Sequence, residues 1–114
     1  IIATCSIQSL ISGTNDSAYV ASKHAVSGLV KAFAAEWGGR GVNVNGIAPG
    51  FMVTDNTANL RKNSDAVTEI TSRIPLHRWG QPEDLMGPVI FLASEASHYV
   101  NGQLLVVDGG YIIA

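Results

Sequence analysis

Three side chains near the start of the sequence could together move a proton: Ser6, Tyr19 and Lys23. Tyr19 and Lys23 stand four positions apart in Tyr-Val-Ala-Ser-Lys, so on a helix both side chains lie on the same face. A phenol ordinarily loses its proton at pH ~10, and an ammonium group beside it favours the phenolate. The pair is therefore a candidate acid and base for work at neutral pH.

Ser6 completes this candidate site. It follows an apolar run, 1–5, that predicts a buried strand, and it precedes Tyr19 by thirteen residues. At the end of that strand its hydroxyl can hydrogen-bond a carbonyl oxygen that Tyr19 protonates while hydride arrives from elsewhere. The three residues therefore predict reduction of a carbonyl group, or alcohol oxidation in the reverse direction.

The spacing of Tyr19 and Lys23 alone is weak evidence, because such a pair is usually two solvated side chains. The upstream Ser6 and the small residues Ala21 and Ser22 between the pair make the pattern more specific. The set resembles the active-site signature of the short-chain dehydrogenase/reductase family, a serine followed by Tyr-x-x-x-Lys. The resemblance implies that Ser6, Tyr19 and Lys23 are the catalytic residues and that the cofactor is NAD or NADP.

The elements that must position these residues alternate between strands and helices. A long amphipathic helix is predicted over 17–37, where apolar residues recur every three or four positions and glycines follow. Strands are predicted at 42–47 and 104–107, the latter buried on both faces, with helical segments within 54–73 and at 85–93 between them. This order predicts an α/β fold, the carboxyl-terminal half of a doubly wound, Rossmann-type parallel sheet.

Ligands of such sheets bind beyond the carboxyl ends of the strands, and Ser6, the Pro49-Gly50 turn and Asp108-Gly109-Gly110 are all expected along that edge. A Pro-Gly turn exposes backbone groups to a planar ligand at close range. The segment 48–54 resembles the family segment that lines the nicotinamide half of the cofactor. The site is therefore expected beside this turn.

The family resemblance assigns cofactor contacts to individual residues. It implies that Pro49 and Gly50 shape the pocket, that Val53 contacts the cofactor through its backbone, and that Thr54 reaches the carboxamide or phosphate side. It also implies that Lys23 hydrogen-bonds the nicotinamide ribose, a task open to an ammonium group with three donors, and that Tyr19 borders the cofactor.

Three segments, 48–57, 73–80 and 84–88, are similar to a sugar-acid branch of the family, the gluconate 5-dehydrogenases and 2-dehydro-3-deoxy-D-gluconate 5-dehydrogenases. This implies a small substrate with a carboxylate and hydroxyls. Candidates for contacting it are Asn56, Arg73, His77 and Arg78. Lone arginines are more often surface residues, helix-end groups or intersubunit partners. A 3-oxoacyl thioester, a steroid or a polyol stays open as the substrate.

Composition disfavours several other functions. The formal net charge of −2, with scattered basic residues, predicts neither a nucleic-acid nor a membrane partner. The single cysteine, Cys5, cannot form a disulfide within the chain, so a reducing, cytoplasmic compartment is expected. We interpret Cys5 as a buried, inert thiol. His24 and His98 have no ligand spacing with other metal-binding residues, so no metal is expected.

The sequence opens at Ile1, inside the first apolar run. We therefore expect residues 1–114 to be the carboxyl-terminal part of a single Rossmann-type dehydrogenase domain, without the amino-terminal half that binds the pyrophosphate through a glycine-rich turn. Such a piece should be inactive alone, and the resemblance implies a homotetramer for the complete protein. A truncated, non-catalytic dehydrogenase that serves only subunit association is the alternative.

Overall fold

A parallel sheet forms the centre of the computed structural model, which describes residues 1–114. Its three strands lie in the order β1-β2-β3, with Ile2 paired to Asn45 and Gly46 paired to Leu104. The predicted α/β fold and its element order are confirmed. The strands are β1 (Ile2–Thr4), β2 (Asn45–Pro49) and β3 (Leu104–Val107), and the helices are α1 (Ser17–Trp37), α2 (Ser64–Ser72) and α3 (Met86–Ala93).

Strand β2 begins three residues later than the sequence predicts. The segment before it is held by the loop that precedes β3: Val44 N–H donates to Asn101 Oδ1 at 2.8 Å, and the Val44 carbonyl accepts from Gly102 N–H at 2.9 Å. The Asn43 amide also donates to the His98 carbonyl, at 2.9 Å. These backbone groups are therefore satisfied outside the sheet, and the prediction of a strand from residue 42 is wrong.

Helix α2 is shorter than the helical segment expected over 54–73. Asn63 ends the preceding 3₁₀ turn, and its Oδ1 accepts the N–H groups of Asp65 and Ala66, each at 3.1 Å. Asparagine in this capping position starts a helix, because it satisfies N–H groups that have no partner within the helix. The residues before it form two short 3₁₀ turns, Asp55–Thr57 and Leu60–Lys62.

Strand β3 is half-buried along its whole length, so the expectation of burial on both faces is wrong. It is an edge strand of this sheet and pairs with β2 alone. None of the helices has both the length and the apolar character needed to cross a membrane.

The core that orients α1 lies between this helix and the sheet. Val30 and Ala34 of α1 pack with Cys5, which follows β1, and with Val44 and Ala48. A second cluster lies near the carboxyl ends of the strands and consists of Ile7, Ile74, Trp79 and Tyr111. The first cluster fixes α1 against β1, and this determines where Tyr19 and Lys23 lie relative to Ser6.

Gly46 of β2 is closely packed by its neighbours. A Cβ atom there would lie 2.5 Å from Leu104 Cδ2 and 2.7 Å from Cys5 Sγ, closer than side chains pack. Gly28 offers a matched contrast, because it lies on the exposed side of α1 and a Cβ there would meet nothing within 4 Å.

We expect Gly46→Ala to lower the free energy of unfolding of the complete protein by about 1–3 kcal/mol, because it overpacks a filled core. Gly28→Ala should instead raise it by up to about 1 kcal/mol, since alanine is the better helix former. Urea unfolding of both variants measures the difference. Equal effects of the two substitutions would contradict the packing described for β2.

Candidate active site

Ser6 lies immediately beyond β1 and is 8 % exposed. Its Oγ accepts the N–H of Gln8 at 3.1 Å, and its own N–H donates to Ser9 Oγ at 3.2 Å, so that Ser6 caps the 3₁₀ turn Ile7–Ser9. The capping bond uses Oγ as an acceptor, and no protein group accepts the hydroxyl proton. Ser6 can therefore donate a hydrogen bond to a ligand oxygen.

Tyr19 and Lys23 occupy the first two turns of α1, as the sequence predicts. Lys23 Nζ lies 5.5 Å from the centre of the Tyr19 ring, within the range of a cation–π contact. The same ammonium group donates to the Thr4 carbonyl at 2.9 Å, at the end of β1. One of its three donors is thus used by the protein, and the others are available to a ligand.

Ser6 and Tyr19 line one cleft with a volume of about 390 Å³. Gly50 borders the same cleft, so residues that follow β1 and β2 meet the start of α1 there. Lys23 is not part of the cleft wall. Tyr19 is 36 % exposed. The remaining lining residues are Ile7, Gln8, Asp16, Phe51, Asn56, Thr57 and Leu60.

The Pro49-Gly50 turn joins the ends of β2 and β3. Pro49 pairs with Val107, and Gly50 N–H donates to the Val107 carbonyl at 3.0 Å. A Cβ atom on Gly50 would lie 2.6 Å from Asp108 Cβ and 2.8 Å from Asp108 Cα. Only glycine permits this approach of the two backbones. Ser6 and Gly50 both line the cleft, whereas Asp108 lies outside it.

In the loop after this turn, some backbone groups are hydrogen-bonded within the protein and others are unpaired. Val53 N–H donates to the Gly80 carbonyl at 2.8 Å, whereas the Val53 carbonyl accepts no hydrogen bond. The Val53 backbone can therefore hydrogen-bond a cofactor only through its carbonyl group. The N–H of Met52 has no protein acceptor. Sequence reasoning missed this group, because no pattern marks which amide of an irregular loop is left unpaired.

Thr54 uses its backbone groups within the loop. Its N–H donates to Thr57 Oγ1 at 3.3 Å, and its carbonyl accepts from Arg61 Nη2 at 3.0 Å. The side-chain hydroxyl is then the group with which Thr54 can contact a ligand. Arg61 also donates through Nε to Thr57 Oγ1, at 3.3 Å, and it is a cation near the cleft that sequence reasoning did not select.

Among the four polar residues considered for a substrate carboxylate, only Asn56 lines the cleft. Arg78 donates to both carboxylate oxygens of Asp84, at 2.7 and 3.0 Å. These bonds, with a further one from Gln81 N–H at 2.7 Å, lower the pKa of Asp84 from 3.8 to about 2. The Arg73 guanidinium lies 4.7 Å from the Tyr111 ring centre. Both arginines are therefore engaged by the protein itself.

Cys5 is 2 % exposed, which confirms the expected buried thiol. Burial raises the pKa of this thiol, against the opposing effects of a hydrogen bond with Ser9 and the charge of Lys23. The thiol therefore stays protonated and is a poor nucleophile. No group of three or more His, Cys, Asp or Glu side chains is arranged to hold a metal ion.

Comparison with known proteins places this geometry in a family. Residues 1–112 match the family model described as Enoyl-(Acyl carrier protein) reductase. A 2-dehydro-3-deoxy-D-gluconate 5-dehydrogenase of Pseudoalteromonas atlantica is 51% identical over 112 residues, which are 98% of this chain and 44% of that protein. The gluconate 5-dehydrogenase of Gluconobacter oxydans is 41% identical over 114 residues, 100% of this chain and 44% of that protein.

A solved structure shows the same fold. The gluconate 5-dehydrogenase from Burkholderia cenocepacia, in complex with NADP and tartrate, superposes with a TM-score of 0.98 at 42% identity, over 100% of this chain and 45% of that one. The chain thus spans less than half the length of the relatives it matches. The fold, the family model and the Ser6, Tyr19 and Lys23 pattern agree, and the chain belongs to the short-chain dehydrogenase/reductase family.

Proposed function

We propose that the complete protein is an NAD(P)-dependent oxidoreductase that interconverts a secondary alcohol and a ketone on a sugar acid of the gluconate or 2-dehydro-3-deoxygluconate type. The observation that carries the proposal is that Ser6 and Tyr19 line one cleft while Lys23 places its charge over the Tyr19 ring. The sugar-acid dehydrogenases among its relatives support the substrate class. Residues 1–114 would form the carboxyl-terminal part of a Rossmann-type domain.

Each catalytic residue has one task in this reaction. In the reducing direction the Ser6 hydroxyl donates a hydrogen bond to the substrate carbonyl oxygen, and Tyr19 transfers its phenolic proton to that oxygen. In the oxidising direction the phenolate of Tyr19 removes the hydroxyl proton. The positive charge of Lys23 stabilises the phenolate in both directions. A nicotinamide cofactor, when bound, supplies or accepts the hydride.

The chain offers unpaired groups that fit the nicotinamide end of such a cofactor. The free donors of Lys23 suit the ribose hydroxyls, and the Val53 carbonyl and Met52 N–H suit the carboxamide. Pro49 and Gly50 border this region, and Thr54 adds a hydroxyl. NAD and NADP are identical at this end, so both fit these groups.

The cleft itself suits a polyhydroxylated substrate. Asn56 places a side-chain amide on its wall, and Arg61, which donates to Thr57 Oγ1, holds a positive charge beside it. The Burkholderia relative was solved with tartrate, which is a hydroxy acid. The cytoplasmic location and the homotetramer expected from the sequence stay predictions.

Turnover of the complete protein on a small substrate panel tests the proposed function. We expect NADH or NADPH oxidation with 5-ketogluconate and with 2,5-diketo-3-deoxygluconate, because the cleft offers polar partners for hydroxyls. The rate with an acetoacetyl thioester should be at least about tenfold lower, since it leaves those partners unpaired. A preference for the thioester would place the protein among acyl reductases instead.

Replacement of the phenol tests the proton donor. We expect Tyr19→Phe to lower kcat by about 10²–10⁴-fold, the usual contribution of a general acid, with NAD(P)H affinity retained. Tyr99→Phe is the matched control, because Tyr99 is fully exposed and does not line the cleft. Steady-state rates and cofactor fluorescence titration measure both quantities. Substantial turnover by Tyr19→Phe would exclude the phenol as the acid.

A further inference from the structure

We propose that Gln8 is a specificity residue that hydrogen-bonds a hydroxyl on the carbon next to the reacting carbonyl. The side chain would make the enzyme prefer α-hydroxy ketones to ketones that lack this hydroxyl. This inference rests on the proposed function, because it concerns the substrate of the same cleft.

The position of Gln8 is fixed by the catalytic serine. Its N–H donates to Ser6 Oγ at 3.1 Å, and Gln8 lines the cleft together with Ser6 and Tyr19. A ligand whose carbonyl oxygen is held by the Ser6 hydroxyl would then have Gln8 within the same cleft, where we propose that it meets the neighbouring carbon. No other side-chain amide in the cleft is tied to the catalytic serine in this way.

The amide of Gln8 has no partner within the protein. Its Oε1 is buried without a hydrogen bond. Buried polar atoms are rarely left unpaired, because the loss of water is then uncompensated. The last torsion of a glutamine is broad, so either its donor or its acceptor can turn toward a ligand. A substrate hydroxyl, which both donates and accepts, would satisfy the amide in either orientation.

Gly13 makes room for this amide. A Cβ atom on Gly13 would lie 2.5 Å from Gln8 Nε2 and 3.2 Å from Gln8 Cδ. The backbone of Gly13 has no positive φ, so alanine is conformationally acceptable there and would act mainly by displacing the amide. The chain therefore offers two ways to disturb the amide, by replacing it or by pushing it aside.

The chemistry of the proposed substrates supplies the matching group. In a 5-keto sugar acid both carbons next to the carbonyl carry hydroxyls, whereas a 3-oxoacyl thioester has none there. A site built to hydrogen-bond a hydroxyl discriminates strongly against an analogue that lacks it, because the protein group is then left unpaired. Gln8 would exert this discrimination next to the reacting carbon.

The test compares acetoin with butanone, which differ by one hydroxyl beside the ketone, as substrates of the complete protein. We expect the wild type to favour acetoin in kcat/KM, and Gln8→Leu to reduce the acetoin-to-butanone ratio by about tenfold or more. Gly13→Ala should reduce the ratio in the same direction, and this variant decides the matter if Gln8→Leu does not fold. Gln103→Leu, an exposed glutamine outside the cleft, is the matched control and should keep the ratio.

Two results would overturn the role of Gln8: a wild-type ratio near one, or a ratio that neither Gln8→Leu nor Gly13→Ala lowers although melting temperatures show that a variant is folded. An equal fall of both rates would indicate a structural role and would overturn it too. Failure of the proposed function has a different signature, because 5-ketogluconate would then not turn over while the acetoin-to-butanone ratio still reports on Gln8.

Discussion

The hydrogen bond from Lys23 Nζ to the Thr4 carbonyl, at 2.9 Å, joins helix α1 to the end of strand β1. An ammonium group held by a backbone carbonyl has a defined position, and here it lies 5.5 Å from the centre of the Tyr19 ring. Ser6 follows the same strand two residues after Thr4. The contact therefore fixes the positions of the Lys23 charge, the Tyr19 phenol and the Ser6 hydroxyl relative to one another. The packing of Val30 and Ala34 against Cys5 holds the helix against the sheet.

Residues of the candidate site also have structural tasks, and this links the proposed catalysis to folding. Ser6 caps the turn that carries Gln8, and the absence of a side chain on Gly50 allows β2 and β3 to end against each other. Ser6 and Val53 each use one group for the fold and keep another available, the Ser6 hydroxyl proton and the Val53 carbonyl, and the Met52 N–H is also unpaired. Changes at these positions therefore risk altering stability and activity together, which is why matched controls are needed.

A periodic apolar pattern predicted α1 to the residue and a continuous apolar run predicted β3 as a strand, because both elements have local signals and clear ends. The start of β2 and the length of α2 were not predictable in this way, since they depend on Asn101 and on the Asn63 cap. The proposed catalytic pattern follows from residue types and spacing alone. The sequence could not predict that Arg78 pairs with Asp84 or that the Gln8 side-chain oxygen is unpaired, because both depend on how irregular segments pack together.

A crystal structure of the complete protein with NADP and a sugar acid bound tests the site most directly. The positions of the serine and the phenol in one cleft predict that the reacting oxygen of the substrate lies within hydrogen-bond distance, about 2.6–3.2 Å, of both Ser6 Oγ and Tyr19 Oη. A substrate bound in the cleft with its reacting oxygen away from both groups would contradict the assignment of Ser6 and Tyr19 as the groups that handle the proton.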